Sequence, residues 1–93
     1  MGQLDRFKLD GKVALVGGGG GAIGGAMAVA LAEAGAKVAV TDISQELVDA
    51  TKARVEAVGG ECLAVAGDMT QRDEDEAVVG EVVNHLGSLD IMV

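Results

Sequence analysis

Tyrosine, tryptophan and proline are absent from this 93-residue chain, and Phe7 is its only aromatic residue. The missing tyrosines remove one whole kind of proton-transferring catalytic group. Cysteine is almost missing as well: Cys62 stands alone, which excludes an intrachain disulfide and fits a reducing compartment. Basic residues are scarce, seven against 15 acidic ones, for a net charge of −8. That is the wrong sign for a nucleic-acid footprint or for attraction to an anionic membrane. No stretch approaches the ~18 uncharged apolar residues of a membrane span, and the first ten residues carry both charge signs rather than a signal-peptide layout. A cytoplasmic protein without nucleic-acid or membrane partners is expected. The length allows one small domain, residues 1–93, and leaves no room for a second, substrate-binding one.

Apolar residues make up 49% of the chain, and they alternate between short runs and helical periodicities without an intervening linker. Residues 12–16 read as a strand covered on both faces. Five glycines follow at 17–21. A helix is expected after them with Ile23, Met27, Leu31 and Ala34 on its inner face, ended by Gly35. Residues 37–42 read as a second strand. Ser44 can cap a second helix that turns Leu47, Val48, Val55 and Val58 inward and stops at Gly59 and Gly60. A third strand over 61–66 leads to a helix over 71–86, where Thr70 and Asp73 resemble a capping box. Its inner face is expected to carry Val78, Val79, Val82, Val83 and Leu86. Gly87 ends it, and a fourth strand starts at 89–93. The order βαβαβαβ with short connections predicts an α/β fold, a doubly wound parallel sheet of Rossmann type. Strand order 3-2-1-4 is expected, with a flavodoxin-like order as the alternative. No partner sequence follows the fourth strand, so the chain is expected to be part of a longer protein and to self-associate through that exposed edge.

The glycine turn has the marks of a phosphate site. Gly19, Gly21 and Gly24 satisfy G-x-G-x-x-G directly after a predicted strand and at the start of a predicted helix. Glycines let backbone approach a pyrophosphate closely, and the free N–H groups and dipole of a helix start favour its charge. Asp42 ends the second strand, 18 residues beyond Gly24, where a carboxylate can accept hydrogen bonds from ribose 2′- and 3′-hydroxyls and repel a 2′-phosphate. No Lys or Arg stands in the loop or directly after Asp42, so NAD(H) is favoured over NADP(H). Asp68, after the third strand, can bond the adenine amino group with Met69 packing near the ring; the alternative is a plain turn residue. The expected cofactor-binding set is Gly18, Gly20, Gly21, Ile23, Gly24, Asp42, Ile43, Asp68 and Met69. His85 reads as a surface residue near a helix end and Cys62 as a buried structural thiol. The acidic block 73–76 reads as a solvated first helical turn, and no metal site is assigned.

Taken together, residues 9–16, the turn ending Ala22-Ile23-Gly24, the Asp42 strand end, Asp68-Met69 and residues 89–93 resemble the N-terminal part of a short-chain dehydrogenase/reductase. In that family the turn is T-G-x-x-x-G-x-G. Gly18 and Gly24 match it, whereas Gly17 stands at the Thr position and Ala22 at the middle Gly. The resemblance implies a retained but weakened nucleotide site, and a parent protein that moves a hydride between nicotinamide and an alcohol or carbonyl. It also implies a catalytic Ser, Tyr and Lys, none of which can be placed in these residues, so no catalytic residue is assigned. The competing readings are a stand-alone, non-catalytic nucleotide-binding module and an inert structural fragment.

Overall fold

The computed structural model describes residues 9–18, 21–68 and 70–93, so the roles read for Gly19, Gly20 and Met69 fall outside the described residues. The apolar runs form β1 (Val13–Gly17), β2 (Lys37–Asp42), β3 (Cys62–Ala66) and β4 (Ile91–Met92). They alternate with α1 (Ala22–Glu33), α2 (Gln45–Ala57) and α3 (Arg72–Leu86). Every strand pairing is parallel and the order is β3-β2-β1-β4, which excludes the flavodoxin-like alternative. After β3 the chain crosses back over the sheet to reach the far side of β1. Consequently α1 and α2 cover one face, packing on Val16, Val38 and Val40, while α3 covers the other, packing on Val13, Leu15 and Ala39. Burial from both sides explains why β1 and β2 read as continuous apolar runs rather than alternating ones: Val13, Ala14, Leu15 and Val16 are no more than 1% exposed.

Which helical residues face inward differs from the expectation. In α1 the buried residues are Gly25, Ala28 and Ala32, and of the four expected residues Ala34 is buried and Leu31 packs partly against the core, whereas Ile23 is 82% and Met27 38% exposed. The cause is close packing. A Cβ on Gly25 would come within 2.6 Å of the Arg54 guanidinium and 3.4 Å of the Thr51 hydroxyl on α2, so α1 approaches α2 closely here and a larger residue would require the Arg54 side chain to move. In α2 the inner face is Val48, Thr51 and Val55, with Leu47 and Val58 turned outward. In α3 Val78, Val82 and Leu86 are buried, Val79 packs partly against them, and Val83 is exposed.

The helix ends follow the sequence more closely. Ser44 Oγ accepts the Leu47 N–H at 3.3 Å and caps α2. Gly35, Gly59 and Gly87 adopt positive φ just past the three helices, where an L side chain would be strained. The expected Thr70–Asp73 capping box does not form. Gln71 is the N-cap of α3 and gives no side-chain bond, because Thr70 is turned back onto Asp68.

β4 is held by more than its two ladder pairs, Ala14↔Ile91 and Leu15↔Met92. The Asp90 N–H donates to the Val13 carbonyl and the Val13 N–H donates to Asp90 Oδ2, both at 2.9 Å. Ser88 Oγ donates to the same carboxylate oxygen at 3.1 Å. The Val13 N–H, followed by the Ser88 hydroxyl, holds the Asp90 carboxyl below its ordinary value of 3.8. A depressed carboxyl contributes its stability in full above 3.8 and loses it as pH falls through the lower folded value. The stability gap between the wild type and Asp90→Asn is therefore expected to narrow below about pH 4. Urea midpoints across that range check this. A gap that stays constant from neutral pH to pH 2 would remove the ionised carboxylate from the account.

Candidate functional site

The carboxyl ends of the strands and the start of α1 meet at one end of the sheet. β1 ends at Gly17, whose N–H donates to the Val93 carbonyl at 3.0 Å. The chain then turns at Gly18 with φ +71°, a conformation that favours glycine. Gly21 follows as the N-cap of α1, its N–H bonded to the Gly18 carbonyl at 3.1 Å. Among the described residues no side chain caps this helix, and its first turn has no acidic residue. The N–H groups of Ala22, Ile23 and Gly24 therefore lack intrahelical partners at the positive end of the helix dipole. A glycine turn followed by an uncapped helix start suits a pyrophosphate in chemistry and in close backbone approach.

Asp42 and Asp68 come together because their strands are neighbours. The Asp42 carbonyl accepts the Gly67 N–H at 2.9 Å, so the two acid-bearing turns leave the sheet side by side. Asp42 Oδ1 accepts the Ile43 N–H at 2.7 Å, and the Ile43 side chain is left 74% exposed. Between the turns lies an open groove of about 190 Å³ lined by Ile43, Ala66, Gly67, Asp68 and Glu74. Asp68 Oδ1 accepts from both the backbone N–H and the hydroxyl of Thr70. Those bonds, the hydroxyl's first, lower the Asp68 carboxyl from its ordinary value of 3.8 and keep it ionised at neutral pH. Its own N–H donates to Glu74 Oε1 at 3.3 Å.

The structure thus gathers Gly18, Gly21, Ile23, Gly24, Asp42, Ile43 and Asp68 along the strand ends. Sequence reasoning missed Thr70, Glu74 and Asp90 as supports. The spacing Asp68-x-Thr70 is an Asx-turn signal that could have revealed the first. The bond from Asp68 to Glu74 spans six residues across a loop into a helix and has no local signature. Cys62 is buried, and burial pushes its thiol up to about 11, leaving little thiolate at neutral pH. His85 pairs with Glu81 on the outside of α3, away from the strand ends. Among the described residues no three His, Cys, Asp or Glu side chains come together to hold a metal, and no helix is long and apolar enough to cross a membrane.

A parallel sheet in the order 3-2-1-4, with a glycine turn into α1 and an acid ending β2, defines a doubly wound nucleotide-binding fold of Rossmann type. The sequence profile of the short chain dehydrogenases matches residues 12–93, and the chain belongs to that family. It is 35% identical over 93 residues to the 7α-hydroxysteroid dehydrogenase of Escherichia coli K12, covering 36% of that protein. Versicolorin reductase 1 of Aspergillus parasiticus is 42% identical over 89 residues, which span 95% of this chain and 34% of that one. Among solved structures, a 7α-hydroxysteroid dehydrogenase complexed with NADH and 7-oxo glycochenodeoxycholic acid superposes with a TM-score of 0.91 at 34% identity. The match covers 99% of this chain and 36% of that one. A short-chain type dehydrogenase/reductase from Mycobacterium marinum gives the same TM-score at 37% identity, over 99% of this chain and 37% of its own. The chain spans about a third of the length of these relatives.

Proposed function

We propose that these residues form the nicotinamide-dinucleotide site of a cytoplasmic short-chain dehydrogenase/reductase, with NAD(H) preferred over NADP(H). The observation that carries the reading is the placement of Asp42 and Asp68 on adjoining strand ends beside the uncapped start of α1. The N–H groups of Ala22, Ile23 and Gly24 bind the pyrophosphate, and the glycines at 18 and 21 let it approach. Asp42 accepts from the ribose hydroxyls, where its charge would repel a 2′-phosphate. Asp68 takes the adenine amino group, with Ile43 as an apolar wall of the base site. The dinucleotide supplies the hydride acceptor or donor, and the whole protein uses it on an alcohol or carbonyl. Isothermal titration of the chain is expected to show saturable NAD binding and weaker NADP binding. Absence of heat with both dinucleotides would sink the reading; tighter binding of NADP would reverse the assignment of Asp42.

A further inference from the structure

Glu74 does more than sit in an acidic first turn. Its carboxylate faces the groove between Ile43 and Asp68, and it also lines the adjoining cavity of about 220 Å³ formed with Ala66, Gly67, Ala77 and Val78. From there Oε1 accepts the Asp68 N–H at 3.3 Å, tying α3 to the turn that carries Asp68. Thr70 ties the same residue from the other side by bonding Oδ1 through both its N–H and its hydroxyl. Asp68 is thereby held at its backbone and at one carboxylate oxygen, while no described residue engages Oδ2.

We infer that Glu74 is a positioning residue for base recognition: through the Asp68 N–H it sets the turn so that Asp68 Oδ2 meets the exocyclic amino group of adenine. The inference rests on the reading of Asp68 as the adenine contact. Its chemical consequence is selectivity at one atom. Adenine presents an N–H donor at C6, whereas hypoxanthine presents a carbonyl oxygen that a carboxylate repels. Only a correctly placed Oδ2 can tell the two apart, and a merely folded turn cannot.

Calorimetric titration of the chain with NAD and with nicotinamide hypoxanthine dinucleotide tests this. The wild type is expected to favour NAD by roughly tenfold, the scale of one charge-assisted hydrogen bond. Glu74→Ala is expected to lower NAD affinity by roughly fivefold and to leave the hypoxanthine analogue within about twofold, so that the preference collapses. Glu74→Gln keeps an acceptor oxygen in place and should restore the preference; Glu74→Asp keeps the charge but withdraws the oxygen by one methylene and should behave like Ala. Circular dichroism confirms that the variants are folded, and should the Ala variant unfold, the Gln and Asp pair makes the same comparison. An unchanged preference in Glu74→Ala, or a Gln variant that behaves like Ala, overturns the inference. Asp68→Ala separates it from the reading beneath: loss of preference there but not in Glu74→Ala leaves Asp68 as the base reader and removes Glu74. A preference that survives Asp68→Ala, or no binding of either dinucleotide to the wild type, overturns both.

Discussion

Asp42→Ala is expected to weaken NAD binding by roughly tenfold to a hundredfold while leaving NADP binding nearly unchanged, so that the difference between the two cofactors closes. The magnitude follows from hydrogen bonds to a charged acceptor, about 1.5–3 kcal/mol, with tenfold in affinity for each 1.4 kcal/mol. The direction follows from charge: the carboxylate attracts two ribose hydroxyls but opposes a 2′-phosphate, and the Ala variant loses both effects. Asp42→Asn separates them, because an amide keeps an acceptor and adds a donor without the negative charge. It should retain part of the NAD affinity and improve NADP binding. Titration calorimetry at fixed salt reads the affinities of the wild type and both variants for each cofactor. If the preference for NAD survives in both variants, Asp42 has a structural role at the end of β2, where it bonds the Ile43 N–H.

Leu15→Ala is expected to produce the largest loss of stability, about 2–5 kcal/mol, by the usual cost of truncating a buried leucine. Leu15 is fully buried in the layer that joins β1 to Val78, Val82 and Leu86 of α3. For a domain of this size each kcal/mol lowers the melting temperature by about 4–8 °C. Urea unfolding should show a lower midpoint at an unchanged slope. Because β1 delivers the glycine turn, NAD affinity should fall with it. Ile23→Ala and Met27→Ala make the contrast, since both side chains are outside the core and should each shift stability by only about 0.5 kcal/mol or less. A cost below about 1 kcal/mol for Leu15→Ala would mean that α3 is not packed on β1 as described.

The contrast between Leu15 and Ile23 shows what could be read from the order of residues and what could not. The β1 run is apolar at every position, so both faces had to be covered and no choice of face was needed. In α1 the pattern carries almost no directional signal: Ala, Gly and larger aliphatics surround the helix, and Glu33 is its only charged residue. Periodicity then favours the large side chains as the inner face. The face turned to α2 is instead the one that carries Gly25, Ala28 and Ala32, and that close approach is a property of the distance between two helices rather than of either sequence. Ser44 was legible because an N-cap acts within three residues. Thr70 and Asp73 looked like the same kind of signal, but Asp68 lies nearer to Thr70 and accepts both of its donors.

By itself the sequence determined the element order, the glycine turn after β1 and the acids ending β2 and β3, because each depends on contacts local in the chain or on residue type alone. It also determined that the chain holds no tyrosine to serve as a proton donor. Only the tertiary structure decided that β4 lies beside β1, that the turns carrying Asp42 and Asp68 leave the sheet side by side, and that Glu74 reaches back to hold the Asp68 turn. Those are non-local facts. They arise because α3 crosses the sheet to bury Val78, Val82 and Leu86 on the face that α1 and α2 leave open, and that burial, not any local preference, brings the strand ends together.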